Sequence, residues 1–105
     1  MAYTAQQWQS TTIANGASNS ASIDLKRVYD KIQLDLPALN AASINIKVSR
    51  ASGGTYNFLA TTNAVDVSTG SKQVCLNIEG HQFLQLYCDN AQGAARTIYY
   101  RGIAD

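Results

Sequence analysis

Apolar and polar residues alternate with a period of two through the clearest parts of this chain. Lys31-Ile32-Gln33-Leu34-Asp35-Leu36 puts Ile32, Leu34 and Leu36 on one face. Ser43-Ile44-Asn45-Ile46-Lys47-Val48-Ser49 repeats the pattern with Ile44, Ile46 and Val48. Successive side chains of an extended strand point to opposite faces, so this period builds half-buried strands and is incompatible with one apolar helical stripe. Pro37 ends the first ladder because it has no amide to donate.

The same reading places short strands at Thr11 to Ala14, Ser22 to Leu25 and Tyr56 to Ala60, with a further short one at Ala64 to Val67. Lys72 to Ile78 carries Val74, Leu76 and Ile78 on one face; Phe83 to Cys88 is a nearly continuous apolar run expected as a central strand; Thr97 to Tyr100 is the last strand. Turns fall at Asn15-Gly16, Gly53-Gly54, Ser68 to Gly70, Glu79 to His81 and Asp89 to Ala95, built from residues that tolerate left-handed backbone or cap their own amides. About eight short strands, broken by a turn roughly every 8–12 residues, predict an all-β fold: a single antiparallel β-sandwich, jelly-roll-like. Helix is limited to single turns near Asp30 and over Pro37 to Ala42. The expected core is Ile32, Leu34, Leu36, Ile44, Ile46, Val48, Leu76, Leu84 and Leu86.

Residues 1–10 are polar, without a strand period, yet hold Tyr3 and Trp8. They are expected as an N-terminal arm, with the sandwich domain over 11–105. Tyr3 and Trp8 would anchor the arm to a neighbouring subunit or a larger assembly; alternatively, Trp8 folds back to cap its own sandwich.

At 105 residues the chain is one domain, and charged residues are 14% of it, below the roughly 25% of an average domain. Its surface is therefore built largely from Ser, Thr, Asn and Gln, which leave water at lower cost than ions do. The net charge is +1, and the longest basic run is Lys26-Arg27. That footprint argues against nucleic-acid binding, which draws on many phosphate contacts. The first residues lack the basic and apolar regions of a signal peptide, and no apolar run approaches the about 18 residues that span a bilayer. No membrane partner is expected, and synthesis in a reducing cytosol favours free thiols at Cys75 and Cys88 over a bridge, although the thiol state itself is left open.

Candidate chemistry is sparse. His81 lies in a turn without a nucleophile signature beside it. Cys75, Cys88 and His81 make a zinc site only if their hairpin folds on itself, and their spacing is not that of a zinc motif. The carboxylates are scattered singly, Asp89-Asn90 is thin for a calcium loop, and Gly53-Gly54 lacks the lysine of a phosphate loop. The reading is a protein that is not an enzyme and holds no cofactor or metal. What remains is aromatic: Tyr3, Trp8, Tyr29 and Tyr56, near turns or in the arm, are the interface candidates, since Tyr and Trp are common interface anchors and exposed rings can stack on sugars; the alternative for most of the aromatics is packing in the core.

The order of motifs resembles the small decoration (cement) and accessory virion proteins of tailed bacteriophages. The likeness runs from Thr11 to Tyr100: a Gly-Ala-Ser turn, Ser22-Ile23-Asp24-Leu25, a strand ending in Pro37, Ala41 to Ser49, a Gly-Gly turn leading to Tyr56, Val74 to Leu76, Phe83 to Leu86, and Arg96-Thr97-Ile98-Tyr99. It departs from the family pattern at Leu39, where an aromatic is usual, and at Ala51-Ser52, where an Asp usually precedes the glycines. The resemblance implies a structural virion protein made in the host cytoplasm and bound to the outer capsid surface. Its partners would be the major capsid protein and further copies of itself, as a homotrimer in preference to a homodimer. The alternative is a tail or head-fibre accessory module that binds a host-surface glycan; a small hydrolase is a third class, requiring a buried carboxylate pair or an activated hydroxyl.

Overall fold

The computed structural model describes residues 4–59 and 64–104. Within them the chain forms ten strands and no helix: β1 (Thr4–Ala5), β2 (Gln9–Ile13), β3 (Ile23–Asp24), β4 (Lys31–Leu36), β5 (Ser43–Ser49), β6 (Asn57–Phe58), β7 (Val65–Asp66), β8 (Lys72–Asn77), β9 (Phe83–Cys88) and β10 (Arg96–Ala104). They make two antiparallel sheets. Sheet A runs β1-β10-β4-β8, with β2 beside β1 on the same edge of β10; sheet B runs β3-β9-β5-β6, with β7 beside β6 on β5. From β2 to β5, and again from β7 to β10, each connection carries the chain to the opposite sheet. That is the jelly-roll-like sandwich the alternation predicts.

The apolar faces meet between the sheets. Ile32, Leu34 and Leu36 of β4 and Ile98 and Tyr100 of β10 face Ile44, Ile46 and Val48 of β5 and Leu84, Leu86 and Cys88 of β9, all buried. β9 is central, between β3 and β5, as its apolar run foretold. Leu76, expected in the core, is only partly buried, because β8 is an edge strand with a neighbour on one side. Loop residues complete the core: Leu25, Leu39, Val67 and Ile78 are buried between strands.

The last strand is longer than its pattern suggests. Arg101 to Ala104 continues β10 along β4 and β1. Gly102 sits on the inner face, where a Cβ would lie 2.5 Å from the Tyr29 ring. Only glycine admits the ring there, so an apparent break in the pattern is a seat for an aromatic core residue. The expected helical turn at Pro37 to Ala42 is instead a loop, held from across the molecule by the buried Gln92. Asn40 N donates to Gln92 Oε1 at 2.7 Å, and Gln92 Nε2 donates back to Asn40 O at 3.0 Å.

Candidate functional site

The long strand β10 places Thr97, Tyr99, Arg101 and Ile103 on the outside of sheet A. Register then fixes their neighbours in rows across the sheet. Arg101 lies beside Gln33 of β4, and Gln33 beside Cys75 of β8. Tyr99 lies between Ser10 of β2 and Asp35 of β4, and Asp35 beside Gln73 of β8.

Trp8 completes the first row. It occupies the break between β1 and β2, residues 6–8, where the chain leaves its pairing with β10 and rejoins it. Gln6 holds that break in place with both ends of its side chain. Its Nε2 donates to Leu25 O at 2.6 Å, and its Oε1 accepts from Gly102 N at 2.9 Å. With Gln6 pinned, Trp8 lies over the sheet, 44% exposed, and the Arg101 guanidinium stands 4.7 Å from its ring centroid. Arg101 Nε also donates to Gln33 Oε1 at 2.6 Å. The cation is thus fixed from one side by an amide and from the other by a π-face.

The row Trp8–Arg101–Gln33–Cys75 borders a shallow groove of about 250 Å³, to which Gln73 and the edges of Leu34 and Val74 contribute. A second hollow of about 320 Å³ continues it past Ala5, Lys31 and Ile103. Tyr99, 50% exposed, stands one row away. The face therefore presents two aromatics among uncharged amides, with Arg101, Lys31 and Asp35 as its charges. Its chemistry is stacking, hydrogen bonding and cheap desolvation.

The four candidates named from sequence are not brought together. Trp8 is on the sheet A face. The described part of the expected arm, residues 4–10, lies along β10 as β1, the Gln6–Trp8 break and the start of β2. Tyr3 falls outside the described residues. Tyr29 is a correction: it is 5% exposed, packed against Gly102 with Arg27 5.0 Å from its ring, so it belongs to the core rather than to a free surface. Tyr56 is half-buried beside the Gly53-Gly54 turn, its hydroxyl buried without a partner among the described residues. Tyr99, Arg101, Gln33 and Gln6 were missed; their signal lay in cross-strand register, which one strand's pattern does not contain.

The sparse catalytic candidates are separated or occupied. His81 lines a cleft of about 590 Å³ beside the β5–β6 turn, whose Ser49 hydroxyl donates to Ala51 O at 2.9 Å. Cys75 points outward from sheet A and Cys88 inward from sheet B, so they neither bridge nor join His81 in a metal cluster. Three acids accept hydrogen bonds that fix turns or tie loops to strands. Asp24 accepts from Lys26 N and Gln82 Nε2, Asp66 from Ser68, and Asp89 from Ser43 N. The Gln82 amide, followed by the Lys26 amide, holds Asp24 below the usual carboxylate range; the Ser68 hydroxyl and amide do so for Asp66.

No protein-family model and no curated protein matches the chain. Solved structures do share its fold. One is the SPBc2 prophage-derived protein YomS, 8% identical, TM-score 0.54, covering 94% of this chain and 96% of that one. Two are chitosan-binding modules of a chitosanase/glucanase from Paenibacillus sp. IK-5. Module 1 is 13% identical, TM-score 0.51, over 93% of this chain and 92% of its own; module 2, solved with chitotriose, is 22% identical, TM-score 0.50, over 78% and 68%. At these identities the likeness is one of fold: the chain is a β-sandwich of the architecture used by these modules and by a prophage-derived protein.

Proposed function

We propose that this chain is a non-enzymatic virion protein of a tailed bacteriophage, a decoration (cement) protein. It seats the outer face of sheet A on the assembled capsid and holds neighbouring capsomers together. The observation that carries the reading is the row Trp8–Arg101–Gln33–Cys75, with Tyr99 beside it, on a broad and shallow face. Trp, Tyr and Arg are the residues enriched in protein interfaces, and charged groups other than Arg are depleted there. The motif order and the shared fold with a prophage-derived protein support the virion setting. A protein that binds only the assembled shell stabilises that shell by mass action. Its partners are the major capsid protein and further copies of itself, on the capsid surface, after synthesis in the host cytoplasm.

One observation favours a second reading. The Trp8 ring borders a groove that also offers the Gln33 and Gln73 amides, a stacking platform with hydrogen-bonding groups, and chitosan-binding modules share the fold. A fibre-borne glycan-binding module would use the same face.

Trp8 is the only tryptophan, so its fluorescence reports on this face directly. Purified protein is mixed with heads of the phage that encodes it, intact or dissociated into subunits, and sedimented. Decoration requires saturable binding to intact heads, a changed Trp8 emission in the unmodified protein, and loss of sedimentation with heads in Trp8→Ala. Equal binding to dissociated subunits removes the cement role. No head binding, together with an emission change on titration with oligosaccharides, replaces it with the glycan reading.

A further inference from the structure

The two sheets treat their edges differently. Sheet B ends in β3 on one side and in β6 and β7 on the other, each two residues long. Residues 18–20 also run beside β9, where Ser20 N donates to Leu86 O and Cys88 N to Ser18 O. Short strands and covering loops are the usual protection against edge-to-edge pairing. In sheet A, β1 and β2 are interrupted at residues 6–8, and Ile13 at the end of β2 is bridged by Ser20. The remaining edge, β8, has none of these features. It is six residues long without proline, its one charge is the terminal Lys72, and among the described residues it pairs with β4 alone.

The direction of its backbone groups follows from one bond. Ile78 N donates to Asp30 O at 2.9 Å, so the pair Ile78–Asp30 is of the hydrogen-bonded kind. These pairs recur at every second residue of an antiparallel ladder. Leu76 and Val74 therefore spend their amides and carbonyls on β4. Gln73, Cys75 and Asn77 aim theirs at the open edge, and their side chains face outward, all exposed.

We propose that β8 pairs with β8 of a second copy across a two-fold axis through Cys75, joining two A sheets into one. The strand is self-complementary in that register. Cys75 meets the partner's Cys75, Gln73 meets the partner's Asn77, and Val74 meets the partner's Leu76. The amides hydrogen-bond on the outer face, no like charges oppose each other, and Val74 and Leu76, partly buried in the single chain, are covered on the inner face. The interface is isologous, as a closed two-fold demands, and differs from the trimer that the resemblance to decoration proteins implies. It also sets the two Trp8–Arg101 grooves on one continuous face, so any ligand of that face is met twice. The pairing stands without any assumption about what that ligand is.

The test is the sedimentation-equilibrium mass of the full chain without ligand. Twice the 11.3 kDa protomer mass is expected. In Gln73→Asp/Asn77→Asp each new carboxylate faces another across the axis; within one chain the two are well separated, the one at 73 beside Asp35 and the one at 77 beside Lys31, so a thermal melt of the variant confirms that the chain stays folded. The dimer dissociation constant is expected to rise about tenfold or more, and Gln73→Lys/Asn77→Asp restores pairing. Cys75→Pro, which removes an amide aimed at the open edge but none used by β4, is expected to be a folded monomer. Cys75 also gives a covalent readout, because opposed Cα atoms at about 5.5 Å lie within disulfide range. Under diamide, two Cys75 thiols lose two protons and two electrons, which reduce the azo group to a hydrazine, and an S–S bond links the copies. The linked dimer should persist in Cys88→Ser and vanish in Cys75→Ser. A chain that stays monomeric up to millimolar concentration overturns the proposal, as does linkage of equal yield in Gln73→Asp/Asn77→Asp.

Discussion

On the outside of sheet B, Lys47 reaches between Phe58 and Tyr87; on the outside of sheet A, Arg101 reaches over Trp8. The first arrangement is closed. The Lys47 ammonium stands 5.1 Å from the Phe58 ring and 4.8 Å from that of Tyr87, and donates to Asn19 Oδ1 at 3.1 Å. The two rings meet edge to face at 5.1 Å. Each group there already has partners on its own chain. Phe58 is as exposed as Tyr99, at 50%, and more exposed than Trp8, but only the second arrangement leaves a groove at its centre. The cause is placement. Lys47 and Phe58 are direct cross-strand neighbours, whereas Trp8 rides on a break in the pairing and overhangs the sheet. Exposed aromatics alone do not mark a binding face; what matters is whether the chain itself completes them.

Both faces hang on one core, so the severest way to break the comparison is to remove that core. Ile46, fully buried at the middle of β5, should lose about 2–5 kcal/mol of stability on change to Ala. Leu76→Ala at the β8 edge should lose about half of that or less, because the side chain is only partly buried. Urea midpoints measured on dilute protein, where edge pairing does not contribute, decide between them. Equal losses would place β8 inside the fold and close the edge.

The face itself is sharpened by a matched pair of truncations. Trp8→Ala should weaken binding to its target by about 2 kcal/mol or more, the loss typical of an interface anchor. Its stability should fall by about 1 kcal/mol or less, the worth of an exposed cation–π contact. Phe58→Ala should do the reverse. It removes an aromatic pair and a cation–π contact for a stability loss of about 1–2 kcal/mol and leaves binding unchanged. Head binding and thermal melts of both variants are the measurements. Loss of binding in Phe58→Ala with Trp8→Ala unaffected would move the site to sheet B.

How much of this was legible in the chain depended on distance along it. Strands β4 and β5 and their inward residues followed from period two, and β9 from its apolar run, since each carries its own pattern. The length of β10 did not, because Gly102 looks like a break until Tyr29 is seen against it. Tyr29, an interface candidate by sequence, lies in the core for the same reason: its slot is made by a residue far along the sequence. Gln6 and Gln92 carry no distinguishing signal in the sequence, yet both serve as internal clamps. The Trp8 face was half legible. The sequence singled out the lone tryptophan, but Arg101, Gln33 and Tyr99 joined it through register.

The gentlest test concerns the closed side of the molecule. Asp24 lies at the β3 edge of sheet B and Asp66 on β7, and hydrogen bonds from Gln82 and Lys26, and from Ser68, hold both carboxyls below their ordinary value of 3.8. A carboxyl whose folded pKa is depressed adds stability above its unfolded pKa and loses it as the pH falls through the folded value. Stability should therefore hold from neutral pH down to about pH 4 and then decline as Asp24 and Asp66 take up protons. Both groups are exposed, so the decline is small beside the truncations above. Gln82→Ala removes the largest cause at Asp24, and its titration midpoint should move up toward the ordinary value while that of Asp66 stays. Carboxyl chemical shifts followed by NMR from pH 7 to pH 2 give both midpoints in one experiment. A midpoint for Asp24 at or above 3.8 in the unmodified protein would show that the Gln82 bond does not persist in solution, and that this edge of sheet B is less closed than its hydrogen bonds imply.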